Sequence, residues 1–226
     1  MEKLISIIVT VYNKEIYLGH CFTLLNEQLL KLSQQDRDKI ELLIINDCST
    51  DNSMELVNTI LSPSLGYRVI NNGKRMNIAY VRWQAVNEVT GKYFIFIDAD
   101  DLISENYIEI LLNINYNTLA DLYQFKGREY PNGVLMGFDS TWSPLKLVRT
   151  AFVRKYGVNF NKNAEKEKNE YGIEAVLGED LDFFTAVKEH NPVIVNIDKI
   201  LVTWNFAIPD SLTKVNYDYM YWISKE

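Results

Sequence analysis

The sequence has little cysteine and little histidine. It contains two cysteines, Cys21 and Cys48, without a CxxC pair, and two histidines, His20 and His190. So few cysteines exclude a disulfide-stapled scaffold and argue against a structural zinc site. Neither histidine has a cysteine or carboxylate neighbour at ligand spacing, so neither is assigned a role. Reduced thiols are the default in the cytoplasm, and we therefore expect a cytoplasmic protein.

The sequence also lacks a basic surplus and a long apolar run. Its 226 residues include 23 Lys and Arg against 30 Asp and Glu, a net charge of −7. Such a chain binds nucleic acid poorly, because it has no excess of cations to displace counterions from phosphates. No stretch approaches the ~20 apolar residues that cross a bilayer, and the N-terminus has no signal-peptide cleavage pattern. We expect no nucleic-acid partner and at most a peripheral association with membranes.

The first hundred residues alternate between strand and helix patterns. Apolar runs rich in β-branched and aromatic residues predict strands at 5–10, 40–46, 67–70 and 93–97. Apolar residues at helical spacing predict three helices between them, the second capped by Asp51 or Asn52 and the third stopped by Gly91. This order predicts an α/β fold with a mostly parallel sheet flanked by helices, in which ligands bind beyond the carboxyl ends of the strands.

The second half of the chain is less regular. Ser143-Pro144 predicts a helix through Lys155, because Ser caps helices and Pro suits the first helical position. Gly178-Glu-Asp-Leu-Asp predicts the start of another helix, with Leu181, Phe184 and Val187 on its apolar face. The runs 193–195 and 197–203 are predicted to be closing strands.

Two further segments of the chain are distinguished by their composition, one polar and one aromatic. The polar segment 161–170 is interpreted as a solvated loop, with a mobile lid as the alternative. The aromatic residues after 215 are interpreted as packing groups rather than a platform for sugar. No internal repeat or linker divides the chain, so we expect a single domain over 1–226.

The Asp-x-Asp spacing occurs three times, in different surroundings. The pairs are Asp36/Asp38, Asp98/Asp100 and Asp180/Asp182. The first lies in a polar connection and is expected to be solvated, while the third lies at a predicted helix start, where the dipole favours acids. Asp98 and Asp100 end an apolar strand, where uncompensated carboxylates are costly. We therefore expect a cation between them, and carboxylate oxygens suit Mg²⁺ or Mn²⁺, which commonly bridge to phosphates.

Four segments in this order resemble glycosyltransferase family 2. They are Ser6-Ile-Ile-Val-Thr-Val-Tyr-Asn, Ile44-Ile-Asn-Asp-Cys-Ser-Thr-Asp-Asn-Ser, Thr90-Gly-Lys-Tyr-Phe-Ile-Phe-Ile-Asp-Ala-Asp-Asp and Gly178-Glu-Asp. The resemblance extends from about residue 5 to residue 204. It implies the GT-A fold, with a Rossmann-like central sheet and a less regular C-terminal half. Residues 1–101 would form the nucleotide-binding half and 102–226 the acceptor-binding half.

The resemblance also implies roles for residues of the first half. Thr10 and Tyr12 match strand-end residues that contact the nucleotide base, and Asp47 matches an acid that hydrogen-bonds the base, usually uracil. Asp98 would lie near the ribose and Asp100 on the metal that bridges the diphosphate. We count both Asp98 and Asp100 as candidate metal ligands.

The remaining roles connect the two halves. Arg82 resembles an arginine that supports the phosphate side of the donor, and Asp180 matches the catalytic base. Glu179 is a candidate substrate-binding residue and the competing candidate for the base, expected to point elsewhere on the helix. The segment beginning at Trp142 corresponds to one that walls the acceptor side.

The function implied by the resemblance is sugar transfer. It is that of a metal-dependent, inverting glycosyltransferase that uses Mn²⁺ or Mg²⁺. The donor would be a nucleotide-diphosphate sugar, with UDP as the expected nucleotide. The acceptor would be a hydroxyl of a saccharide, glycolipid or glycoprotein.

Alternatives remain open for individual residues and for the function. Tyr12 could be a packing aromatic, Arg82 a surface salt-bridge partner, and Asp47 the cap of the turn that follows it. A nucleotidyltransferase also holds a metal with acids on an α/β sheet, but here Val-Tyr-Asn-Lys-Glu stands where its glycine-rich loop would be. A degenerate member that only binds nucleotide or a partner protein is the third possibility. It stays open because Trp83 and Asn77 depart from the family pattern around Arg82.

Overall fold

The computed structural model describes residues 3–161, 167–168, 174–175 and 178–205. Its strands are β1 (Ile5–Val11), β2 (Ile40–Asn46), β3 (Arg68–Asn71), β4 (Tyr93–Asp98), β5 (Leu102–Ile103), β6 (Leu122–Tyr130), β7 (Leu135–Met136), β8 (Lys146–Arg149), β9 (Glu167–Lys168), β10 (Glu174–Ala175) and β11 (Ile194–Asn205). Its helices are α1 (Leu18–Lys31), α2 (Gln34–Arg37), α3 (Ser53–Ile60), α4 (Ile78–Glu88), α5 (Tyr107–Leu112), α6 (Thr150–Tyr156) and α7 (Glu179–Glu189).

Most strands of the central sheet run in one direction. Their order is β3-β2-β1-β4-β8-β6-β11-β5, with β7 added to β6. Neighbours among β3, β2, β1 and β4 are parallel, and β6 is parallel to β11. Because β8 is antiparallel to both β4 and β6, these two strands share one direction as well. The predicted α/β fold with a mostly parallel sheet is confirmed.

Helices cover both faces of this sheet. The side chains of β1 alternate between two apolar clusters, with Ile7 and Val9 in one and Ile8 in the other. The first cluster includes residues of α1, α3 and α5, and the second includes residues of α4, α6 and α7. A strand covered on both faces must be apolar at successive positions, which is why these strands are visible as continuous runs in the sequence.

Residues of both predicted halves enter the same sheet. Strands β6, β8 and β11, from the acceptor-side half, continue the sheet that β1 to β4 begin. The division at residue 101 remains a prediction. Most of the segment 161–170 and all residues after 205 lie outside the described part of the chain, so the interpretations of the polar loop and of the aromatic tail stay as stated.

The predicted helix from Ser143 to Lys155 is wrong in its first half. Ser143–Leu145 form a single 3-10 turn, Lys146–Arg149 form β8, and the helix begins only at Thr150. Strand β8 bonds to β4 on one side and to β6 on the other. Residues 146–149 therefore form a strand although the Ser-Pro pair before them favours a helix, because two neighbouring strands supply their backbone hydrogen bonds.

Three smaller predictions are corrected. Gly91 does not stop α4, which ends at Glu88; a Cβ on Gly91 would lie 2.6 Å from the backbone nitrogen of Ser6 in β1. Leu181 is 54 % exposed, and Phe183 is buried in its place. The two closing strands are one strand, β11, with register shifts after Ile197.

Candidate functional site

The carboxyl ends of β1, β2 and β4 lie side by side. Thr10 of β1 is opposite Ile45 of β2 and Asp98 of β4. The backbone N–H of Asp47, one residue beyond β2, donates to the carbonyl of Val11 at 2.9 Å. The sheet therefore brings the polar strand ends together at one edge, as parallel strands of similar length must.

Asp47 ties the end of β2 to the loop before α4. Its Oδ1 accepts hydrogen bonds from the Asn72 amide at 3.0 Å and from the backbone N–H of Met76 at 2.9 Å. In the described part of the chain, no hydrogen bond reaches its Oδ2. The turn after β2 is instead held by Asn46, whose Oδ1 accepts from the N–H of Ser49. The alternative of Asp47 as the cap of that turn is therefore wrong.

Tyr12 lies beyond β1 and is only partly buried. The guanidinium of Arg75 lies over its ring, 4.2 Å from the ring centroid. This contact between a cation and an aromatic face is favourable. Arg75 belongs to the loop that Asp47 holds through Met76, so one loop connects Tyr12 and Asp47, two of the three residues predicted to contact the base.

Asp100 pairs with a lysine that the sequence did not single out. Lys14, three residues past β1, donates from its Nζ to Oδ2 of Asp100. The side chains are 25 % and 14 % exposed respectively, so the ion pair is partly shielded from water. Asp36, by contrast, is 40 % exposed and pairs with Lys39 near the end of α2, which confirms the interpretation of Asp36/Asp38 as a solvated pair.

Arg82 binds three carboxylates from two distant parts of the chain. Its Nη2 donates to Oδ1 of Asp98 at 3.1 Å, and its Nη1 donates to Oε1 of Glu179 at 2.9 Å and to Oδ1 of Asp180. The Arg82 side chain is only 4 % exposed, so the alternative of a surface salt-bridge partner is wrong. The expectation that Glu179 points away from Asp180 is also wrong, because both carboxylates accept a hydrogen bond from Nη1 of Arg82.

The Trp142–Ser143 pair adds neutral donors to the same carboxylates. Ser143 donates its hydroxyl to Oδ1 of Asp180 and its backbone N–H to Oδ2 at 3.1 Å. Trp142 donates its indole N–H to Oδ2 of Asp98 at 3.4 Å. From the sequence, Ser143 was predicted to be a helix cap, and its contact with Asp180 was missed. The only feature of the sequence that pointed to this contact was the correspondence of the segment at Trp142 to the acceptor side in the family resemblance.

The shared arginine does not fully compensate the buried acids. Burial raises the pKa of Glu179 to about 7, opposed by Arg82 and reinforced by Asp180. Burial also raises the pKa of Asp180, although Arg82 and the Ser143 hydroxyl act against it. Burial lowers the pKa of Arg82, but the three carboxylates raise it by more. The cluster thus holds a permanent cation beside carboxyls that ionise less readily than in water.

Comparison with known proteins identifies the family. The sequence model described as Glycosyl transferase family 2 matches residues 6–162. The chain belongs to glycosyltransferase family 2. Glycosyltransferase GlyG of Streptococcus pneumoniae is 32 % identical over 111 residues, which are 49 % of this chain and 35 % of GlyG.

Solved structures of low sequence identity share the fold. The crystal structure of S. aureus TarS 1-349 in complex with UDP has a TM-score of 0.70 at 19 % identity and covers 89 % of this chain and 60 % of that one. Mannosyltransferase PcManGT from Pyrobaculum calidifontis, in complex with GDP-Man and Mn²⁺, has a TM-score of 0.64 at 14 % identity and covers 94 % and 59 %. The predicted GT-A fold is confirmed. The chain spans about a third of GlyG and three fifths of these two structures.

The strand end after β4 has the chemistry of a divalent-cation site. No group of three or more His, Cys, Asp or Glu side chains within the described ranges is arranged to hold a metal. Magnesium is, however, often bound by one or two carboxylates together with substrate phosphates, and the carboxylates of Asp98 and Asp100 are compatible with such a site. Burial raises the pKa of the neighbouring Asp101 well above its usual range, and the charges of Asp98 and Asp100 raise it further. Three acidic side chains, Asp98, Asp100 and Asp101, thus lie close enough to influence one another, and carboxylates grouped in this way fit a divalent cation.

Among the residues that the structure describes, no helix is both long enough and apolar enough to cross a bilayer.

Glu179 should make the stability of this family member fall as pH rises. Its pKa is about 7 in the folded chain against a usual 4.5, so between these values the folded state binds more protons than the unfolded state. We expect the free energy of unfolding of Glu179→Gln to equal that of the unsubstituted protein near pH 4.5. At pH 8 it should be higher than that of the unsubstituted protein by on the order of 2 kcal/mol. Urea unfolding at both pH values measures this. Glu105→Gln, at an exposed loop position, should show no such pH dependence, and a Glu179→Gln difference that is equal at both pH values would contradict the prediction.

Proposed function

We propose that this protein transfers a sugar from a UDP-linked donor to an acceptor hydroxyl, with inversion at the anomeric carbon and with Mn²⁺ or Mg²⁺. One observation carries the proposal. Arg82 joins the strand-end Asp98, on the donor side, to Asp180, which comes from the other half of the chain. An enzyme of this kind needs a donor site and a proton acceptor close to each other, and Arg82 holds the candidates for these two roles side by side.

The donor would bind across the carboxyl ends of β1, β2 and β4. Thr10 and Tyr12 would contact the base, and Oδ2 of Asp47 would accept the N3–H of uracil. Asp98 would lie near the ribose and, together with Asp100, would hold the metal. The metal, when bound, supplies Lewis-acid neutralisation of the charge that develops on the leaving diphosphate. The UDP and the GDP-Man with Mn²⁺ bound to the structural relatives are compatible with such a donor site.

Asp180 would be the general base. The acceptor hydroxyl loses its proton as it attacks the anomeric carbon, and a positioned carboxylate takes that proton. Ser143 holds both oxygens of Asp180, which orients the group, and burial raises its pKa, which makes the carboxylate a stronger base. Glu179 would contact the substrate beside it. Both terminal nitrogens of Arg82 are engaged by carboxylates, so we propose that Arg82 supports the donor through Asp98 rather than by direct contact with phosphate.

The proposal is tested by incubating the protein with nucleotide sugars and Mn²⁺ in the presence of saccharide, glycolipid and protein acceptors. Release of UDP with formation of a glycosylated product is expected. Release of pyrophosphate would instead identify a nucleotidyltransferase. A rise in melting temperature with UDP and Mn²⁺ but no turnover with any acceptor would favour the binding-only alternative.

The preference for uracil is expected to depend on Asp47. A carboxylate accepts the N3–H of uracil but repels the lone pair that cytosine presents at the same position, so UDP should bind more tightly than CDP. We expect a preference of roughly tenfold or more, reduced in Asp47→Ala. Calorimetric titration of both nucleotides measures it. Comparable affinities of the unsubstituted protein for UDP and CDP would contradict this assignment.

A further inference from the structure

Lys14 reaches the candidate metal site from a fixed backbone. The preceding residue, Asn13, has a φ of 48°, in the left-handed region that asparagine tolerates. Its side chain accepts from the N–H of Thr50 at 2.8 Å, and the N–H of Lys14 donates to the buried hydroxyl of Ser53 at 2.8 Å. The backbone of Lys14 is therefore held, and only its four-carbon side chain is free to change direction.

The two candidate metal ligands are neutralised in different ways. Asp98 is paired with Arg82, which is 4 % exposed and is also bound to Glu179 and Asp180. Asp100 is paired with Lys14, which is 25 % exposed and forms no second salt bridge among the residues that the structure describes, although its charge also acts on the neighbouring Asp101. Arg82 is locked by three carboxylates, whereas Lys14 is held by one. Lys14 is therefore the cation that can leave.

We propose that Lys14 is a built-in counter-cation of the metal site that changes partner during donor binding. It holds the Asp100 carboxylate in the metal-free protein, is displaced from it by the divalent cation, and then pairs with the diphosphate of the donor. The inference rests on the proposed function, since it takes Asp100 as a metal ligand and a nucleoside diphosphate as the donor.

The exchange follows from charge. A divalent cation and an ammonium group repel each other strongly when both contact one carboxylate, so binding of the metal must drive Lys14 away. A diphosphate brought in on the metal would offer the released ammonium a new anionic partner, and lysine is a common phosphate ligand with a flexible stem. The metal should thus bind weakly alone and more tightly together with the diphosphate, which is a positive coupling between two ligands.

The first experiment measures metal binding without nucleotide. Mn²⁺ is titrated into the protein and the free ion is followed by electron paramagnetic resonance. Lys14→Met removes the competing cation and should tighten Mn²⁺ binding by roughly tenfold or more, while Lys14→Arg should stay close to the unsubstituted protein. Lys39→Met, which breaks the exposed pair with Asp36, should change nothing. Unchanged Mn²⁺ affinity in Lys14→Met would overturn the inference.

The second experiment measures the nucleotide side at saturating Mn²⁺. Lys14→Met should weaken UDP binding by roughly tenfold, because a charge-assisted phosphate contact is lost, and should leave the affinity for uridine, which has no phosphate, unaltered. Equal losses for UDP and uridine, or none for UDP, would overturn the transfer of Lys14 to the diphosphate. Absence of metal-dependent UDP binding in the unsubstituted protein would contradict the proposed function itself. Intact metal-dependent UDP binding with unchanged Lys14→Met affinities would overturn this inference alone.

Discussion

Asp180→Asn is expected to lower the rate of sugar transfer by roughly 10²–10⁴-fold, the usual contribution of a positioned general base. Asparagine preserves the size of the side chain but cannot take a proton. The fold should survive, because Arg82 keeps Asp98 and Glu179 as partners. The affinity for UDP should hardly change, since the residues proposed to hold the nucleotide lie at the ends of β1, β2 and β4. Turnover and UDP affinity are measured on the same preparations.

Glu179→Gln is the matched comparison for this experiment. Glu179 lies one residue away on α7, but among the described residues it accepts no hydrogen bond from Ser143, which donates only to Asp180 of the two. We therefore expect a smaller loss of turnover in Glu179→Gln than in Asp180→Asn. Near-normal turnover in Asp180→Asn, or loss of UDP binding together with turnover, would mean that Asp180 only shapes the pocket.

Asp100→Asn is expected to abolish the dependence of UDP binding on Mn²⁺ and to reduce turnover by roughly 10²-fold or more. The substitution removes one of the two carboxylates proposed to hold the metal, and a neutral amide oxygen is a weaker ligand for a hard cation. The fold should remain, because the partner Lys14 is partly exposed and does not need a buried counter-charge. Isothermal titration with UDP, with and without Mn²⁺, measures the effect.

Asp36→Asn controls for the sequence motif itself. Asp36 has the same Asp-x-Asp spacing but pairs with Lys39 near the surface helix α2. The Asp36→Asn variant should therefore have the same UDP affinity, metal dependence and turnover as the unsubstituted protein. Metal-dependent UDP binding that persists in Asp100→Asn would show that the metal site lies elsewhere.

The strands that build the donor side were predictable because their signal is local. The predicted run 40–46 matches β2, and the predictions for β1 and β4 each end one residue early. A strand buried on both faces has to be apolar along its whole length, and this leaves a continuous run in the sequence. The same locality explains why Asp47, Asp98 and Asp100 could be recognised as candidates, since the first two follow such a run directly and Asp100 stands two residues further on.

Elements of the second half were harder to predict because distant strands decide them. The helix-start signal of Ser143-Pro144 lies just before β8, yet the residues that follow it form a strand between β4 and β6. Gly91 stands where the sequence predicts the end of a helix, but a glycine is needed there because a side chain would collide with the backbone of Ser6. Neither fact can be read from periodicity, because both depend on which segment lies next to which.

The sequence by itself determined the order of strands and helices in the first hundred residues, the strand-end acids and the membership in glycosyltransferase family 2, since all of these rest on short contiguous patterns. The tertiary structure alone decided the charge partners. Arg82 meets Asp180 across 98 positions, Lys14 meets Asp100 across 86, and Ser143 meets Asp180 across 37. A charged side chain pairs with whatever the packed backbone brings within reach, and for a buried charge that choice is enforced by the cost of leaving it unpaired. The spacing of residues along the sequence does not indicate which of these groups will pair.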